Sequence, residues 1–288
     1  MIEVVRPGPF ATVQDLGRTG YAHLGVSPSG AADARSHRLA NRLVGNAETA
    51  AGLELLLGDA ELRFHRATTV AVTGAPAPLR LDGWPMPLCE PWRVLAGQTL
   101  RIGTPGCGLR VYLAVAGGVD VPSTMDSRAT DTLSGLGPTP LRTGDRLPVG
   151  IPSHSPAATH LAACMMARPV EPVVRVMRGP RDDFFDTDAF ATLVVSRWLV
   201  TSDANRVGVR LTGPPLRHAG EAQLPSEGMV RGAIQVPSSG QPIVFLADHP
   251  TTGGYPVIAV VARDDIPLLA QARPGVGVRF EEHRGDRS

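Results

Sequence analysis

The sequence predicts a mainly β fold with a few helices. The 288-residue chain contains 32 glycines and 27 prolines, a density of turn-forming residues that argues against a helical protein. Its apolar runs are short, rich in β-branched residues and bounded by Gly, Pro or Asp, which is typical of strands. The clearest predicted strands are ATTVAVTGA (67–75), LRVYLAVAGG (109–118), PIVFLAD (242–248) and YPVIAVVA (255–262).

Three segments predict helices. The first, SGAADARSHRLANRLVGN (29–46), offers Ser29 as a cap, Asp33 in the first turn and a Gly-Asn stop. The second is DAFATLVVSR (188–197), and the third is DDIPLLAQARPG (264–275), which has a proline in its first turn. Three helices are few for a chain of this length, so the β assignment stands.

A weak internal repeat predicts two related lobes. Four patterns occur twice each in the same order: VxxGP, D-x-[GN]-R-x-G, a strand running into two glycines, and R-x-G-x-x-[LV]. Their copies lie at 5–9 and 176–180, 15–20 and 203–208, 112–118 and 245–254, and 142–147 and 273–278. A segment rich in Pro, Ser and Ala between the copies indicates a linker. We therefore predict an N-terminal lobe over 1–150, a linker over 151–171 and a C-terminal lobe over 172–288.

The charge balance excludes several functions. The 28 basic residues nearly equal the 27 acidic ones, so nucleic acid or an anionic membrane is not an expected partner. Every basic residue is Arg. Because lysine is absent, the sequence has no phosphate-loop lysine, no Schiff-base lysine and no residue that could carry biotin covalently.

Cysteine usage and the N-terminus indicate a cytoplasmic protein. Cys89, Cys107 and Cys164 are odd in number and show no CxxC spacing, so we expect reduced structural thiols. The N-terminal MIEVVRPGPF has an acid at its third position and lacks the apolar core of a leader peptide. No run approaches the roughly 18 to 20 apolar residues of a membrane span.

The stretch TVQDLGRTGYAHLGVSPSGAAD (12–33) concentrates polar residues and glycines ahead of the first predicted helix. Ser29 and Gly30 would lie at the helix N-terminus, where amides and the helix dipole favour a carboxylate or phosphate, unless Ser29 only caps the helix. Asp15 and Arg18 either fix their loop, for example by pairing, or place the arginine fork against an anionic ligand. Asp203 and Arg206 repeat the same alternatives.

The stretch LADHPTTGGYP (246–256) is the strongest candidate for a site loop. Asp248 and His249 would emerge at the end of a buried strand, where ligands commonly bind. A histidine in such a place can also be structural. The residues that follow supply hydroxyl groups and exposed amides suited to phosphate or carboxylate. These residues are Thr251, Thr252, Gly253, Gly254 and Tyr255.

Polar residues ahead of the same strand extend this candidate site. Ser226, Glu227 and Gln235 could hydrogen-bond an amide-like substrate, although an isolated acid such as Glu227 can equally be solvated. HExxH, GxSxG, GxGxxG and a paired zinc-ligand spacing do not occur in the sequence. Metal-dependent, serine-hydrolase and dinucleotide-dependent functions are therefore not indicated.

Six motifs together resemble one family. They are TVQDLGRTGY, GVSPSGAAD, NRLVGN, VTGA, YLAVAGGVDVP and GAIQVPSSGQPIVFLADHPTTGGYPVIAVV. The family is variously called the second subunit of allophanate hydrolase, the Kip antagonist and the C subunit of 5-oxoprolinase. The resemblance spans about residues 2 to 281 and implies two cyclophilin-like β-barrel lobes, in agreement with the internal repeat.

The resemblance implies an ATP-dependent lactam hydrolase that opens 5-oxoproline to glutamate together with two partners. These are the 5-oxoprolinase B component, itself cyclophilin-like (KipI-like), and the A component, which resembles a lactam-utilisation protein. ATP with Mg would bind in the complex, in a component that the sequence does not identify. The residues expected to be catalytic are Asp248, His249 and Arg18. Those expected to bind substrate are Asp15, Ser29, Gly30, Arg206, Glu227, Gln235, Thr251, Thr252, Gly253, Gly254 and Tyr255.

Two alternatives stay open beside this expectation. The first is a carboxyltransferase component acting on urea or a related amide, which would need a separate biotin carrier because this chain has no lysine. The second is a non-enzymatic regulator of the Kip-antagonist type, which needs only a surface that captures a partner resembling the B component. Retention of Asp15, Arg18, Asp248 and the TTGG run argues against the regulator.

Overall fold

The computed structural model describes residues 1–152, 171–220 and 224–283. Within these residues the mainly β prediction is confirmed, since twenty strands accompany three α-helices. The helices are α1 (Ala34–Leu43), α2 (Ala189–Val195) and α3 (Ile266–Ala270), one in each segment predicted to be helical. No described helix is both long enough and apolar enough to cross a membrane.

The chain divides into two compact units. The first comprises Met1–Arg18, Ser29–Asp131 and the described part of Gly135–Ala167. The second comprises Thr19–Pro28, Thr132–Ser134 and the described part of Arg168–Ser288. The predicted linker, 151–171, lies almost entirely outside the described residues, so the predicted lobe bounds of 1–150 and 172–288 stay a prediction.

The first unit contains eleven described strands in two antiparallel sheets. They are β1 (Ile2–Arg6), β2 (Phe10–Gln14), β3 (Gly52–Leu56), β4 (Ala60–Phe64), β5 (Thr68–Gly74), β6 (Leu79–Leu81), β7 (Trp84–Met86), β8 (Trp92–Val94), β9 (Thr99–Ile102), β10 (Arg110–Val115) and β11 (Arg146–Leu147). The strand orders are β11-β1-β4-β9-β6-β7 and β2-β3-β10-β5-β8. The predicted strands at 67–75 and 109–118 are thereby confirmed as β5 and β10.

Alternating residues of both sheets build the core of the first unit. Leu53 and Leu55 of β3 belong to the same buried cluster as Leu62 of β4 and Leu100 of β9, so the cluster joins the two sheets. A second cluster attaches α1 through Leu43 and neighbouring apolar residues to β5 and β10. Burying this apolar face is what stabilises a helix of only ten residues.

The second unit is built around a closed barrel of seven strands. Its described strands are β12 (Val173–Arg178), β13 (Arg197–Val200), β14 (Gly208–Thr212), β15 (Glu227–Gly228), β16 (Ala233–Gln235), β17 (Ile243–Phe245), β18 (Thr252–Gly253), β19 (Val257–Val261) and β20 (Gly277–Glu282). The barrel order is β12-β19-β16-β17-β14-β13-β20, and the parallel pairing of β20 with β12 closes it. Strands β15 and β18 form a separate two-stranded ribbon. The predicted strands at 242–248 and 255–262 are confirmed as β17 and β19.

Trp198 anchors the core of the second unit. It is completely buried on β13, and its indole N–H donates to the carbonyl of Leu193 in α2 at 2.9 Å. Gly213 lies against the indole ring so closely that a Cβ atom there would meet a ring carbon at 2.7 Å. The glycine is therefore required by the ring beside it.

The repeated motifs occupy corresponding places in the two units. VxxGP lies at the ends of β1 and β12, D-x-[GN]-R-x-G follows β2 and β13, and R-x-G-x-x-[LV] leads into β11 and β20. This correspondence supports an internal duplication. It also means that any difference between the two copies is informative about their roles.

Two local expectations are wrong. Helix α1 begins at Ala34 and its cap is Asp33, whose carboxylate accepts from the Ser36 amide, so Ser29 does not cap it. Cys107 is an exposed free thiol, but the buried Cys89 is disulfide-bonded and is not a reduced thiol. An odd number of cysteines is compatible with a disulfide as well as a free thiol. Cys164 lies outside the described residues.

Candidate active site

Asp15, at the end of β2, is a buried carboxylate that binds a distant loop. Its Oδ1 accepts from the Gly17 amide and the Ser127 hydroxyl, each at 2.7 Å, and its Oδ2 accepts from the Arg128 amide at 2.6 Å. These donors occupy both oxygens. Asp15 therefore holds its own turn and the loop at 127–128, as the loop-fixing alternative expects, but through these donors and not by pairing with Arg18.

Arg18 is buried in the same region, with 1% of its surface exposed. Its guanidinium donates to the carbonyls of Ala129 and Thr124, and Nη1 lies 3.9 Å from the Asp131 carboxylate. At that distance Nη1 makes an ion pair but no hydrogen bond. Among the described residues Nη1 has no hydrogen-bond acceptor. Arg18 thus keeps one buried donor that a ligand or water could use.

Two further buried polar atoms also lack partners among the described residues, one on Gln14, close to Arg18 in the chain, and one on Thr130, the neighbour of Ala129. They are Gln14 Oε1 and Thr130 Oγ1. The Gln14 amide N–H donates to the Thr130 carbonyl at 2.9 Å, so both side chains lie along the segment that Arg18 also contacts. Buried polar atoms are normally satisfied, and atoms such as these indicate an additional polar group, either water or ligand.

Ser29 and Gly30 lie between this region and α1. Both have left-handed backbones, with φ of 53° and 87°, and the Ser29 hydroxyl donates to the Thr130 carbonyl at 3.2 Å. A Cβ atom on Gly30 would lie 2.6 Å from the Gly17 amide nitrogen, so only glycine fits. Asp15, Arg18, Ser29 and Gly30 are therefore held together within the first unit.

A buried carboxylate that was not expected from the sequence lies close to the start of α1. Glu54 of β3 accepts from the Ala32 amide at 2.9 Å and from the Tyr112 hydroxyl at 2.7 Å, and it pairs with Arg110 at 3.3 Å. The Tyr112 oxygen in turn accepts from the Asp33 amide at 2.8 Å. A carboxylate was expected here as a ligand, but the anion found is the protein's own Glu54.

In the second unit Asp248 is fully buried and forms an ion pair with Arg206. Arg206 binds it bidentately, Nε to Oδ2 at 2.8 Å and Nη2 to Oδ1 at 2.9 Å. The amide and hydroxyl of Thr132 donate to Oδ2 at 2.9 and 2.6 Å. The Arg206 partner is thus Asp248, whereas Asp203 is exposed. Arg206 faces a carboxylate, one of the two alternatives for this motif, but the carboxylate is Asp248 and not Asp203.

His249, the residue after Asp248, is also buried. Its Nδ1 lies 2.8 Å from the Pro250 carbonyl oxygen, which only accepts hydrogen bonds, so Nδ1 carries a proton. The ring also contacts Phe245, with 6.2 Å between ring centroids. The catalytic roles of Asp248 and His249 stay predictions.

The ribbon of β15 and β18 brings together the remaining predicted site residues. Glu227 pairs with Gly253 across the ribbon, and Arg181 binds the Glu227 carboxylate with two guanidinium nitrogens. This hydrogen bond lowers the pKa of Glu227, because it stabilises the charged form. Glu227 is therefore an ion-paired acid and not an isolated one.

Gln235 connects this ribbon to the residues that follow it. Its side-chain amide donates to the Tyr255 carbonyl at 2.9 Å and lies against Gly253, where a Cβ atom would meet it at 2.6 Å. The Thr251 carbonyl accepts from the Met229 amide at 2.9 Å. Thr252, Gly254 and Tyr255 are exposed, so their polar groups can meet a ligand.

The second unit also contains a cavity of about 220 Å³. It is lined by Asp183, Phe184, His218, Ala219, Gly220 and Pro256. The Val236 carbonyl contacts the His218 ring at 3.0 Å, and Phe185 packs edge-on against that ring. Among the residues that the structure describes, no three His, Cys, Asp or Glu side chains are grouped to hold a metal ion.

Comparison with known proteins identifies the family. Residues 24–282 match the family described as the carboxyltransferase domain, subdomain A and B. The chain is 38% identical to the C subunit of Escherichia coli 5-oxoprolinase, over 97% of this chain and 90% of that protein. It is 35% identical to Lachancea kluyveri urea amidolyase, over 96% of this chain but only 17% of that protein.

Solved structures agree with this relationship. The K. lactis urea amidolyase structure superimposes with a TM-score of 0.91 at 31% identity, covering 97% of this chain and 18% of that one. The resemblance to the family of 5-oxoprolinase C subunits is thereby confirmed. The chain belongs to the carboxyltransferase domain family, subdomain A and B.

Proposed function

We propose that this chain is the C component of an ATP-dependent 5-oxoprolinase, a complex that opens 5-oxoproline to glutamate. The observation that carries the proposal is the similarity to the E. coli 5-oxoprolinase C subunit over 97% of this chain and 90% of that protein. The matched urea amidolyases are much longer, and this chain corresponds to 17% of the L. kluyveri protein.

The reaction needs activation of a stable lactam. In the proposed sequence the lactam oxygen attacks the γ-phosphorus of ATP, an O–P bond forms, and ADP leaves. A first water adds to the activated carbon, and the C–N bond breaks with the electron pair going to nitrogen, which takes up protons as the new amine. A second water releases phosphate from the resulting acyl phosphate and leaves glutamate.

The first unit supplies groups that complement such a substrate. The unused Nη1 donor of Arg18 can stabilise negative charge that develops on a lactam or phosphate oxygen. The unused Oε1 acceptor of Gln14 can accept from a lactam N–H. A donor and an acceptor together match an amide, which presents one of each.

Within the second unit, the exposed hydroxyl of Thr252 and the exposed backbone of Gly254 suit phosphate oxygens. Asp248 has both oxygens occupied by Arg206 and Thr132, so in this proposal it positions the loop that carries His249. Because the chain has no lysine, phosphate charge is met by arginine, by amides and by Mg²⁺.

The proposal assigns partners as well. The B and C components would together phosphorylate the lactam, and the A component would complete ring opening. ATP with Mg would bind in this complex, and no biotin would be attached to this chain because it has no lysine. The complex would work in the cytoplasm.

The test is ATP-dependent release of glutamate from 5-oxoproline. We expect the mixture with the B and A components to release glutamate, and omission of this chain, of either partner or of ATP to abolish the release. A stable three-component complex that hydrolyses ATP but yields no glutamate would contradict the proposal. A complex with the B component but no turnover of any kind would favour the regulator.

Carboxyl transfer is the second candidate. It is favoured by the family to which the chain belongs and by the K. lactis urea amidolyase superposition, with a TM-score of 0.91. Its separate test supplies a biotinylated carrier, a biotin carboxylase that forms carboxybiotin from bicarbonate and ATP, and urea. Transfer of carbon from labelled carboxybiotin to urea that requires this chain would promote this candidate over lactam opening.

A further inference from the structure

The segment from Ser29 to Asp33 is fixed on one side by the Asp15 turn. The Ala31 amide donates to the Asp15 carbonyl at 2.9 Å, and Gly30 packs on the backbone at 16–17. The left-handed backbone at Ser29 is not favoured by an isolated chain, because the residue carries a Cβ atom. Surrounding contacts must therefore hold this conformation.

On its other side the segment is held by two side chains from the sheet. Glu54 of β3 and Tyr112 of β10 are direct neighbours across the two strands. Their side chains accept from the successive amides of Ala32 and Asp33, at 2.9 and 2.8 Å, and the Tyr112 hydroxyl donates to Glu54 at 2.7 Å. Two consecutive backbone N–H groups are thus fixed by side chains of β3 and β10.

The Tyr112 hydroxyl must keep its proton in order to donate a hydrogen bond to Glu54. Burial raises the pKa of Tyr112 well above its usual value, and the charge of Glu54 adds to that effect. Tyr112 therefore keeps the proton that it donates to Glu54. Arg110, as buried as Glu54 itself, compensates the carboxylate charge at 3.3 Å.

Helix α1 has other contacts that hold it on the sheet, so Glu54 and Tyr112 are not needed for that purpose. The helix is capped by Asp33, whose carboxylate accepts from the Ser36 amide at 3.0 Å. It also buries an apolar face that includes Leu43 and Val44. Glu54 and Tyr112 contact the amides that precede the helix. Their contacts therefore act on the segment that carries Ser29 and Gly30.

We propose that Glu54 and Tyr112 are positioning residues for the candidate site of the first unit. By fixing the amides of Ala32 and Asp33 they hold Ser29 and Gly30 against the turn that carries Arg18. The inference rests on the proposed function, in which Arg18 contacts the substrate, and on the sequence-based prediction that Ser29 and Gly30 bind it. Its structural part can be measured independently of activity.

The test uses Tyr112→Phe, which keeps the ring and removes only the hydroxyl. A matched control is Thr73→Val: Thr73 is the cross-strand neighbour of Tyr112, is equally buried, and donates to the Ser36 carbonyl of α1 at 2.7 Å. Tyr112→Phe loses the hydrogen bond from the Asp33 amide and the one to Glu54, and Thr73→Val loses the one to the Ser36 carbonyl. Only Tyr112→Phe affects the segment ahead of α1.

The first readout is amide hydrogen exchange of Ala32 and Asp33 in the full chain. We expect exchange to become roughly 5- to 30-fold faster in Tyr112→Phe, the factor that corresponds to one lost buried hydrogen bond, and to change less than about twofold in Thr73→Val. Unchanged exchange in Tyr112→Phe would overturn the inference, whatever the enzyme does.

The second readout is turnover of 5-oxoproline by the complex with the B and A components. We expect Tyr112→Phe to lower kcat more than about tenfold with KM changed less than about threefold, and Thr73→Val to keep kcat within about twofold. Faster exchange with normal kcat, or an equal kcat loss in both variants, would overturn the positioning role. A wild-type complex without turnover would reject the proposed function, and the exchange result would then decide the structural part alone.

Discussion

The two copies of the D-x-[GN]-R-x-G motif place their arginines in different electrostatic environments. Arg206 in the second unit binds Asp248 through two hydrogen bonds of 2.8 and 2.9 Å. Arg18 in the first unit contacts backbone carbonyls, and its nearest carboxylate, on Asp131, lies 3.9 Å away. The same short pattern thus produces a tight ion pair in one unit and a loose one in the other.

In the proposed function, this contrast separates a structural arginine, Arg206, from one that contacts the substrate, Arg18. A buried guanidinium that is fully paired is a structural clamp, because its donors are occupied and its charge is compensated. A buried guanidinium with an unused donor has been desolvated without full compensation, which is the state expected of a group that meets a ligand's charge. Arg206 fits the first description and Arg18 fits the second.

Removal of the Asp248 carboxylate should have the greatest consequence. Asp248→Ala leaves Arg206 as an unpaired buried charge, which should lower the free energy of unfolding by roughly 3 to 5 kcal/mol. Denaturant unfolding of the full chain measures this. The double variant Asp248→Met with Arg206→Met removes both charges and should recover most of the loss. If Asp248→Ala lowers the free energy of unfolding by less than about 1 kcal/mol, the ion pair of Asp248 with Arg206 does not stabilise the fold. Arg206 would then not be the structural arginine of the two.

A smaller effect concerns the first unit, which contains a buried histidine, His37, whose pKa is lowered. Burial lowers the pKa of His37 from 6.5 to about 4, against the opposing charges of Asp15 and Glu54. The unfolded chain therefore takes up a proton between pH 6.5 and 4 that the folded chain does not. Stability is unaffected by this group above pH 6.5 and falls as pH is lowered, and the loss reaches about 3 kcal/mol at pH 4.

The measurement is the unfolding free energy between about pH 7 and 4. His37→Gln, which cannot titrate, should flatten the slope in this window, whereas the control His23→Gln, at an exposed position, should leave it unchanged. Equal slopes in wild type and His37→Gln would show that His37 is not the group responsible.

The sequence predicts the strands and helices better than it predicts which side chains bind one another in the candidate site. Strands β5, β10, β17 and β19 and all three helices follow from local periodicity and from caps and turn residues, which act over a few positions. The partner of Arg206 is 42 residues away, and pairing over such a distance is decided by strand topology. Local spacing therefore suggested Asp203, which is exposed.

Glu54 and Tyr112 were missed for the same reason. They lie 58 positions apart and meet only because β3 and β10 are adjacent in register. One signal was present in the sequence, since Glu54 interrupts the apolar run GLELLL within a predicted β-rich region. A charged residue in a buried strand must be paired, and its presence indicates a buried polar network even when the partner is unknown.

The most direct test compares Arg18→Lys with Arg206→Lys in the complex with the B and A components. Lysine keeps the charge and loses the planar fork. We predict that Arg18→Lys lowers kcat by roughly 10²- to 10³-fold with a small change in unfolding free energy. Arg206→Lys should instead cost roughly 1 to 3 kcal/mol of stability and lower kcat less than about tenfold. Turnover that survives in Arg18→Lys but is abolished in folded Arg206→Lys would contradict the proposal that Arg18, and not Arg206, takes part in the reaction.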